Sequence, residues 1–270
     1  MVNLFGANGY IGSCYQTRHA ARCQARNDLV PVTDRVLYMI STTHNHHLKT
    51  NPWIDVDTNI VTLLRVLENC RNVGVTEFNF VSSWFVYGPV QQAVTEDAAC
   101  RPQGFYSITK HTAEQLLMEY CQTHGITWRI MRLCNVLGGA DTGASVHKNA
   151  VDTVIRRVLQ GDILELVQGG RFLRDYLHVH DVCDAIHHVI NQGTANTIYN
   201  IGTGQPVMFV DVVEYILDVM DRTVVISNNT ASVIDCVLNC SRLQSLGWQP
   251  TIPWQDAVRE MIAGHQIALR

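Results

Sequence analysis

Short apolar runs alternate along this chain with stretches in which apolar residues recur every three or four positions. Residues 2–5, 36–41, 77–82, 127–133 and 199–201 read as short buried strands. Between them, residues 11–26, 55–72, 106–123 and 150–160 carry the spacing of amphipathic helices. Strand and helix in alternation predict a parallel sheet covered on both faces. After Gly161 the pattern is less regular, with helices expected over 182–190, 209–220 and 254–262, where a ligand-facing lobe would sit.

A chain of 270 residues, 47% of them hydrophobic, can bury a substantial core. The formal charge of −4 and the absence of any Lys or Arg run give no positive field for a nucleic-acid backbone, so that partner class is set aside. No run reaches the length of an apolar membrane span, and Met1 to Gly6 lacks the basic start of a secretory signal, so no membrane partner and a cytoplasmic location are expected. Nine cysteines without a Cys-x-x-Cys pair argue against a disulfide framework and a zinc site. His44, His46 and His47 have no acidic or cysteine partner at ligand spacing and read as a polar loop, so no metal is expected.

Candidate chemistry begins after the first strand. Gly6-Ala7-Asn8-Gly9-Tyr10-Ile11-Gly12 follows it directly and opens a helix, so backbone N–H groups there can face a pyrophosphate. Tyr106 and Lys110 lie one helical turn apart on one face, where the ammonium can lower the phenol pKa and favour a phenolate base. Just upstream, residues 81–88 read Val-Ser-Ser-Trp-Phe-Val-Tyr-Gly. They place hydroxyls at the C-terminal end of an expected central strand, outside which open parallel sheets bind ligands.

In this order the segments resemble the extended short-chain dehydrogenase/reductases of the nucleotide-sugar epimerase/dehydratase family. The family's Gly-x-x-Gly-x-x-Gly fits Gly6, Gly9 and Gly12, its Ser-x-x-Val-Tyr-Gly fits 83–88, and its Tyr-x-x-x-Lys fits Tyr106 and Lys110. Residues 132–138, 174–179, 199–204 and 246–250 resemble four further motifs. The resemblance implies an α/β fold, a Rossmann-type doubly wound parallel sheet in residues 1–138 to which strand 199–201 returns, with a small C-terminal substrate lobe mainly in 139–270. It makes Tyr106 the acid/base, Lys110 its partner and the nicotinamide-ribose anchor, and Ser83 the hydroxyl on the reacting oxygen.

By the same resemblance Asn135 would touch the phosphates of a nucleotide-diphosphate sugar and Arg174 would neutralise them. Read as ordinary residues, Asn135 caps a turn and Arg174 pairs with Asp175 or Asp181. The implied cofactor is NAD, or NADP, held by Gly6, Asn8, Gly9, Tyr10, Ile11, Gly12, Ser41 and Lys110, with Asp34 as candidate for the adenosine ribose. Arg18, Arg22 and Arg26, four apart, are either an adenosine-phosphate contact or a solvated helix face. In the family, helices equivalent to 55–72 and 106–123 build a homodimer interface, for which Leu63, Leu64, Leu67, Leu116, Leu117 and Tyr120 could form the seam.

Family dehydratases carry an Asp-Glu pair, and sugar-acid decarboxylases a Glu, just after the residue equivalent to Ser83. Trp84 and Phe85 stand here, which disfavours both reactions. Epimerisation at the sugar C4 through a transient keto intermediate is expected, with a 4-keto-reductase or a non-catalytic nucleotide-binding relative as alternatives. Only 23 residues separate Gly12 from Val36, too few for two crossovers of about 30 residues each. The sheet is therefore expected to be narrowed on the adenosine side, with its first strand near an edge and its cofactor grip weakened. Leu137 replaces a common Tyr, and 232–235, Ser-Val-Ile-Asp, replaces Arg-Pro-Gly-Asp, removing a cation.

Overall fold

The computed structural model describes residues 1–42, 51–90, 92–139, 149–231 and 233–268. The first half runs β1 (Val2–Phe5), α1 (Tyr10–Arg18), β2 (Ala21–Cys23), β3 (Arg35–Tyr38), α2, β4 (Glu77–Ser83), α3 (Phe105–His124) and β5 (Thr127–Leu133). Helix α2 is one rod built from Trp53–Val56, a π-helical turn Asp57–Val61, and Thr62–Val73. The second half runs β6 (Asn135–Leu137), α4 (Ala150–Gln160), β7 (Leu164–Val167), β8 (Leu173–Arg174), β9 (Tyr176–His178), α5 (Val179–Gln192) and β10 (Thr197–Ile201). It closes with β11 (Val207–Met208), α6 (Phe209–Val219), β12 (Ile226–Asn229), α7 (Ser241–Gln244) and α8 (Trp254–Ala268).

Six strands form one parallel sheet in the order β10-β5-β4-β3-β1-β2. Its inner strands are largely buried because helices cover both faces. Tyr15 of α1 and Ile186 and Val189 of α5 pack on one face, and Leu63 and Val66 of α2 with Leu117 of α3 on the other. A separate core joins α4, α6 and α8 through Val154, Ile155, Val213, Ile216 and Val258. Helix α5 and strand β10 lie late in the chain yet belong to the sheet, so the lobe that follows β6 is interleaved with it.

The adenosine side departs from expectation. The helix expected over 11–26 ends at Arg18, and Ala21–Cys23 pairs with β1 as the edge strand, although Arg22 and Cys23 are exposed. Main-chain pairing, which leaves no apolar alternation, makes this strand. Two crossovers do fit between Val2 and Tyr38, contrary to the residue count, because the second has no helix. Residues 24–34 return across β1 as an irregular segment held by side-chain amides. Buried Asn3 accepts from Val32 N at 2.7 Å and donates to Arg22 O at 3.3 Å. Gln24 donates to Val30 O at 2.5 Å, and Asn69 to Leu29 O at 3.0 Å. The sheet is narrow, and β1 stands one strand from its edge.

Candidate active site

The carboxyl ends of β1, β3 and β4 meet at one edge. Gly6, just after β1, has φ of +89°, and a Cβ there would come within 2.9 Å of the Met39 carbonyl carbon after β3. A Cβ on Gly12 would lie 2.1 Å from Gly6 O, so the first turn of α1 packs on the loop only without a side chain. Gly9 caps α1 with no side-chain partner, which leaves the first N–H groups of the helix for a ligand. These features fit a dinucleotide pyrophosphate. Asn8 is exposed, Ile11 packs into the core, and the Tyr10 hydroxyl donates to Gly138 O, tying the loop to the end of β6.

Ser83 ends β4, and its Oγ caps the following 3-10 turn by accepting from Phe85 N at 3.4 Å. Tyr106, in the first turn of α3, is half-buried, and the Ser83 and Ser41 hydroxyls lie near enough to its phenol to favour the phenolate. Burial and then the Asp55 carboxylate hold the phenol above its ordinary pKa, against the pull of those two hydroxyls. Lys110 lies one turn on, as its spacing predicts, but it does not supply the phenol's hydrogen bonds. Its Nζ donates to Val81 O at 2.8 Å and lies 4.0 Å from the centre of the Phe80 ring. Burial pushes this ammonium down to about 7, with Glu114 opposing. The expected depression of the phenol pKa by Lys110 is thus replaced by hydroxyl contacts in this geometry.

A network absent from the sequence reading stands behind Ser41. Asn59 Oδ1 accepts from Ser41 Oγ and Thr42 N, each at 3.0 Å, while its Nδ2 donates to Thr42 and Thr109 hydroxyls at 2.9 Å. Thr42 in turn donates to Asp55 Oδ1, and Asp55 Oδ2 is buried without a partner. Asp55 and Asn59 continue the buried stripe of Leu63, Val66 and Cys70 backwards along α2. Two polar residues in phase with a core face were the available signal.

Arg174 is half-buried, donates to Leu173 O at 2.8 Å and Ile234 O at 2.6 Å, and lies over the rings of Trp84 at 5.4 Å and Phe172 at 4.4 Å. Neither suggested carboxylate pairs with it. Asp175 receives Thr203 and Gly204, and Asp181 receives Thr251 and Ile252. Asn135 donates its side chain to Asp175 O at 3.1 Å, and β6 pairs with β9 beside it. Phe85 sets its edge against Tyr106, with ring centres 6.1 Å apart.

Asp34 is corrected. It precedes β3, where its carbonyl accepts from Thr76 and Glu77, at the opposite end of the sheet from Gly6. The reason is that β2 ends at Cys23, eleven residues earlier, and the next strand begins only after Asp34. Among the described residues no group of three or more His, Cys, Asp or Glu side chains is arranged for a metal. His44, His46, His47 and Ser232 lie outside those residues. No helix among them is long and apolar enough to cross a membrane.

The model of the NAD dependent epimerase/dehydratase family matches residues 32–202, well over half of the chain. A dTDP-glucose 4,6-dehydratase of Escherichia coli is 25% identical over 284 residues, covering 92% of this chain and 78% of that protein. Among solved structures, RMD from Pseudomonas aeruginosa complexed with NADPH aligns with a TM-score of 0.88 at 22% identity, covering 99% of each chain. A UDP-glucose 4-epimerase of Thermotoga maritima with UDP-glucose aligns at 0.85 and 20% identity, covering 100% of this chain and 99% of that one. The chain belongs to the NAD dependent epimerase/dehydratase family, within the short-chain dehydrogenase/reductase superfamily.

Proposed function

We propose that this enzyme uses NAD or NADP to oxidise and re-reduce a sugar carbon of a nucleotide-diphosphate sugar, and that its net reaction is epimerisation at C4. What supports the reading is the Tyr106 phenol set near the Ser83 and Ser41 hydroxyls, at the strand ends beside the glycine loop. Tyr106 takes the proton of the sugar hydroxyl and returns it, while Ser83 Oγ orients the same oxygen. The cofactor, when bound, supplies the hydride acceptor and donor. Gly6, Asn8, Gly9, Tyr10, Ile11 and Gly12 would hold its pyrophosphate, and Ser41 and Lys110 its nicotinamide end. Arg174, on the Trp84 ring, would meet the substrate phosphates with Asn135. The apolar Phe85 edge on Tyr106 supports epimerisation over dehydration, which needs an added acid and base there. A homodimer through α2 and α3 belongs to the same proposal.

Reduction of a 4-keto sugar is the second reading, favoured by the phenol being held above its ordinary range and so poised as a proton donor. The two separate by incubating the protein with nucleotide sugars and following the sugar by NMR. An epimerase reaches an equilibrium of two epimers with no net change in reduced nicotinamide. A reductase consumes reduced nicotinamide mole for mole. Tyr106→Phe should lower either rate by about 10²–10⁴-fold while dinucleotide affinity is retained. An active Tyr106→Phe protein would overturn the assignment, and inertness towards every sugar with no dinucleotide bound would leave the non-catalytic relative.

A further inference from the structure

We infer that Cys14 and Cys183 are a reversible dithiol–disulfide pair, a site at which peroxide cross-links helix α1, the helix opened by the glycine loop, to helix α5. The pair stands apart from the function proposed above, and only its effect on dinucleotide binding rests on that reading.

Helices α1 and α5 share one core on the same face of the sheet, and their contacts fix which residues meet. Cys183 Sγ donates to Ile11 O at 3.7 Å, and the Tyr15 hydroxyl lies 3.2 Å from His187 Nδ1. One turn on, Arg18 and His19 both reach Asp184, at 2.5 and 2.8 Å. The face of α1 turned to α5 therefore runs from Ile11 through residues 14 and 15 to residues 18 and 19. A helix carbonyl points along the axis towards the residue four positions on, so a sulfur that reaches Ile11 O from outside lies beside the side chains at 14 and 15. Cys14 stands at that place and packs on the same core as Cys183.

The two thiols differ as an attacking sulfur differs from a resolving one. Cys14 is half-buried, and the neighbouring Cys183 draws its thiol below the ordinary pKa, with burial opposing and Arg18 adding to the pull. Cys183 is fully buried, and its thiol is pushed up by Cys14 and then by burial. Cys70 of α2 and Cys121 of α3 lack this asymmetry, since both are fully buried and burial pushes both thiols up to about 12.

The Cys14 thiolate attacks one oxygen of hydrogen peroxide. An S–O bond forms, the O–O bond breaks, and the hydroxide released takes up the proton Cys14 had lost, leaving water and a sulfenic acid. The Cys183 sulfur then attacks the Cys14 sulfur. The S–S bond forms, the S–O bond breaks, and hydroxide leaves with the Cys183 proton as a second water. The two sulfurs together lose two electrons and the peroxide gains them; a dithiol reductant reverses the change. An S–S bond about 2.05 Å long draws α1 towards α5. Gly12, two positions before Cys14, cannot absorb the shift, because even a Cβ there would lie 2.1 Å from Gly6 O. The first N–H groups of α1 therefore move with the helix, away from the pyrophosphate they would meet.

The test is peptide mapping of the full chain, reduced, desalted and treated with hydrogen peroxide, its remaining thiols alkylated and the digest left unreduced. The Cys14 peptide should be recovered joined to the Cys183 peptide, and dithiothreitol should separate them. Cys183→Ser should leave Cys14 as a sulfenic acid that dimedone traps, and Cys14→Ser should leave Cys183 a free thiol. Cys23→Ser, at an exposed thiol outside the pair, should keep the cross-link. Calorimetry with NADH and NADPH should show the cross-linked protein binding about tenfold more weakly than the reduced one, with no such loss in Cys183→Ser. Cys14 and Cys183 both alkylated after peroxide treatment, or joined to other cysteines, overturns the pair. A cross-link that leaves affinity unchanged overturns its control of the cofactor. If the reduced protein binds neither dinucleotide, the cofactor reading fails and the peptide map still decides the pair.

Discussion

Tyr106 shows how one side chain is poised by opposing terms. Burial and the Asp55 carboxylate favour the neutral phenol, and Ser83 and Ser41 favour the phenolate. Asp55→Asn removes a charge while keeping an acceptor for Thr42. The oxidative rate, which needs phenolate, should then begin its rise at lower pH, and an unmoved profile would show that Asp55 acts only structurally. A second pH effect comes from His111, whose imidazole is pushed up to about 9 by the neighbouring Cys100 and then by Glu114, 3.5 Å away. A raised folded pKa stabilises fully below the unfolded value near 6.5 and fades as the pH passes about 9. His111→Gln should therefore lower the urea midpoint most at pH 6.5 and converge on the parent protein above the folded pKa. Tyr106, Lys110 and Ser83 were legible as residues because one helical turn and one strand end are local geometry.

Element by element, the crossover 24–34 is where stability and site are joined. It has no helix of its own, so Asn3, fully buried in β1, supplies hydrogen bonds that a helix would have made internally. Asn3→Ala removes the side-chain partner of Val32 N–H and Arg22 C=O and should cost roughly 0.5–1.5 kcal/mol in denaturant unfolding. A loss near zero would mean that the segment is held elsewhere. The π-helical turn in α2 is the other decisive element. It brings Asp55 and Asn59 together under Thr42 and Thr109, and such turns gather at functional sites. Neither feature was readable in advance. A three-residue edge strand carries no alternation, and an inserted residue in a helical turn leaves the sequence period unchanged to the eye.

For the molecule as a whole, the sheet divides the candidate dimer seam. Leu63, Leu67 and Leu117 are fully buried under the sheet, which leaves half-buried Leu64, Leu116 and Tyr120 on the outer faces of α2 and α3. Tyr120 donates to Glu68 at 2.6 Å and so joins the two helices into one surface. Sedimentation should give a dimer, and Leu64→Glu with Leu116→Glu should give a folded monomer, since neither side chain is part of the deepest core. A parent protein that sediments as a monomer would remove the interface. Behind the site, the Glu114–Arg132 pair at 2.7 Å is nearly inaccessible to solvent and fixes α3 against β5. That long-range pairing holds the Tyr106 helix in place.

The amino-acid sequence alone determined the strand-helix order, the glycine loop, the Tyr106–Lys110 turn and the family, because each rests on residues within a few positions of one another or on their order. Tertiary structure decided which charges meet. It carried Asp34 to the far end of the sheet, tied Arg18 to Asp184, moved Arg22 onto the edge strand, and turned the Lys110 ammonium to Val81 O. Those outcomes follow from strand register and from an edge strand formed by main-chain pairing, and neither is written in the spacing of side chains.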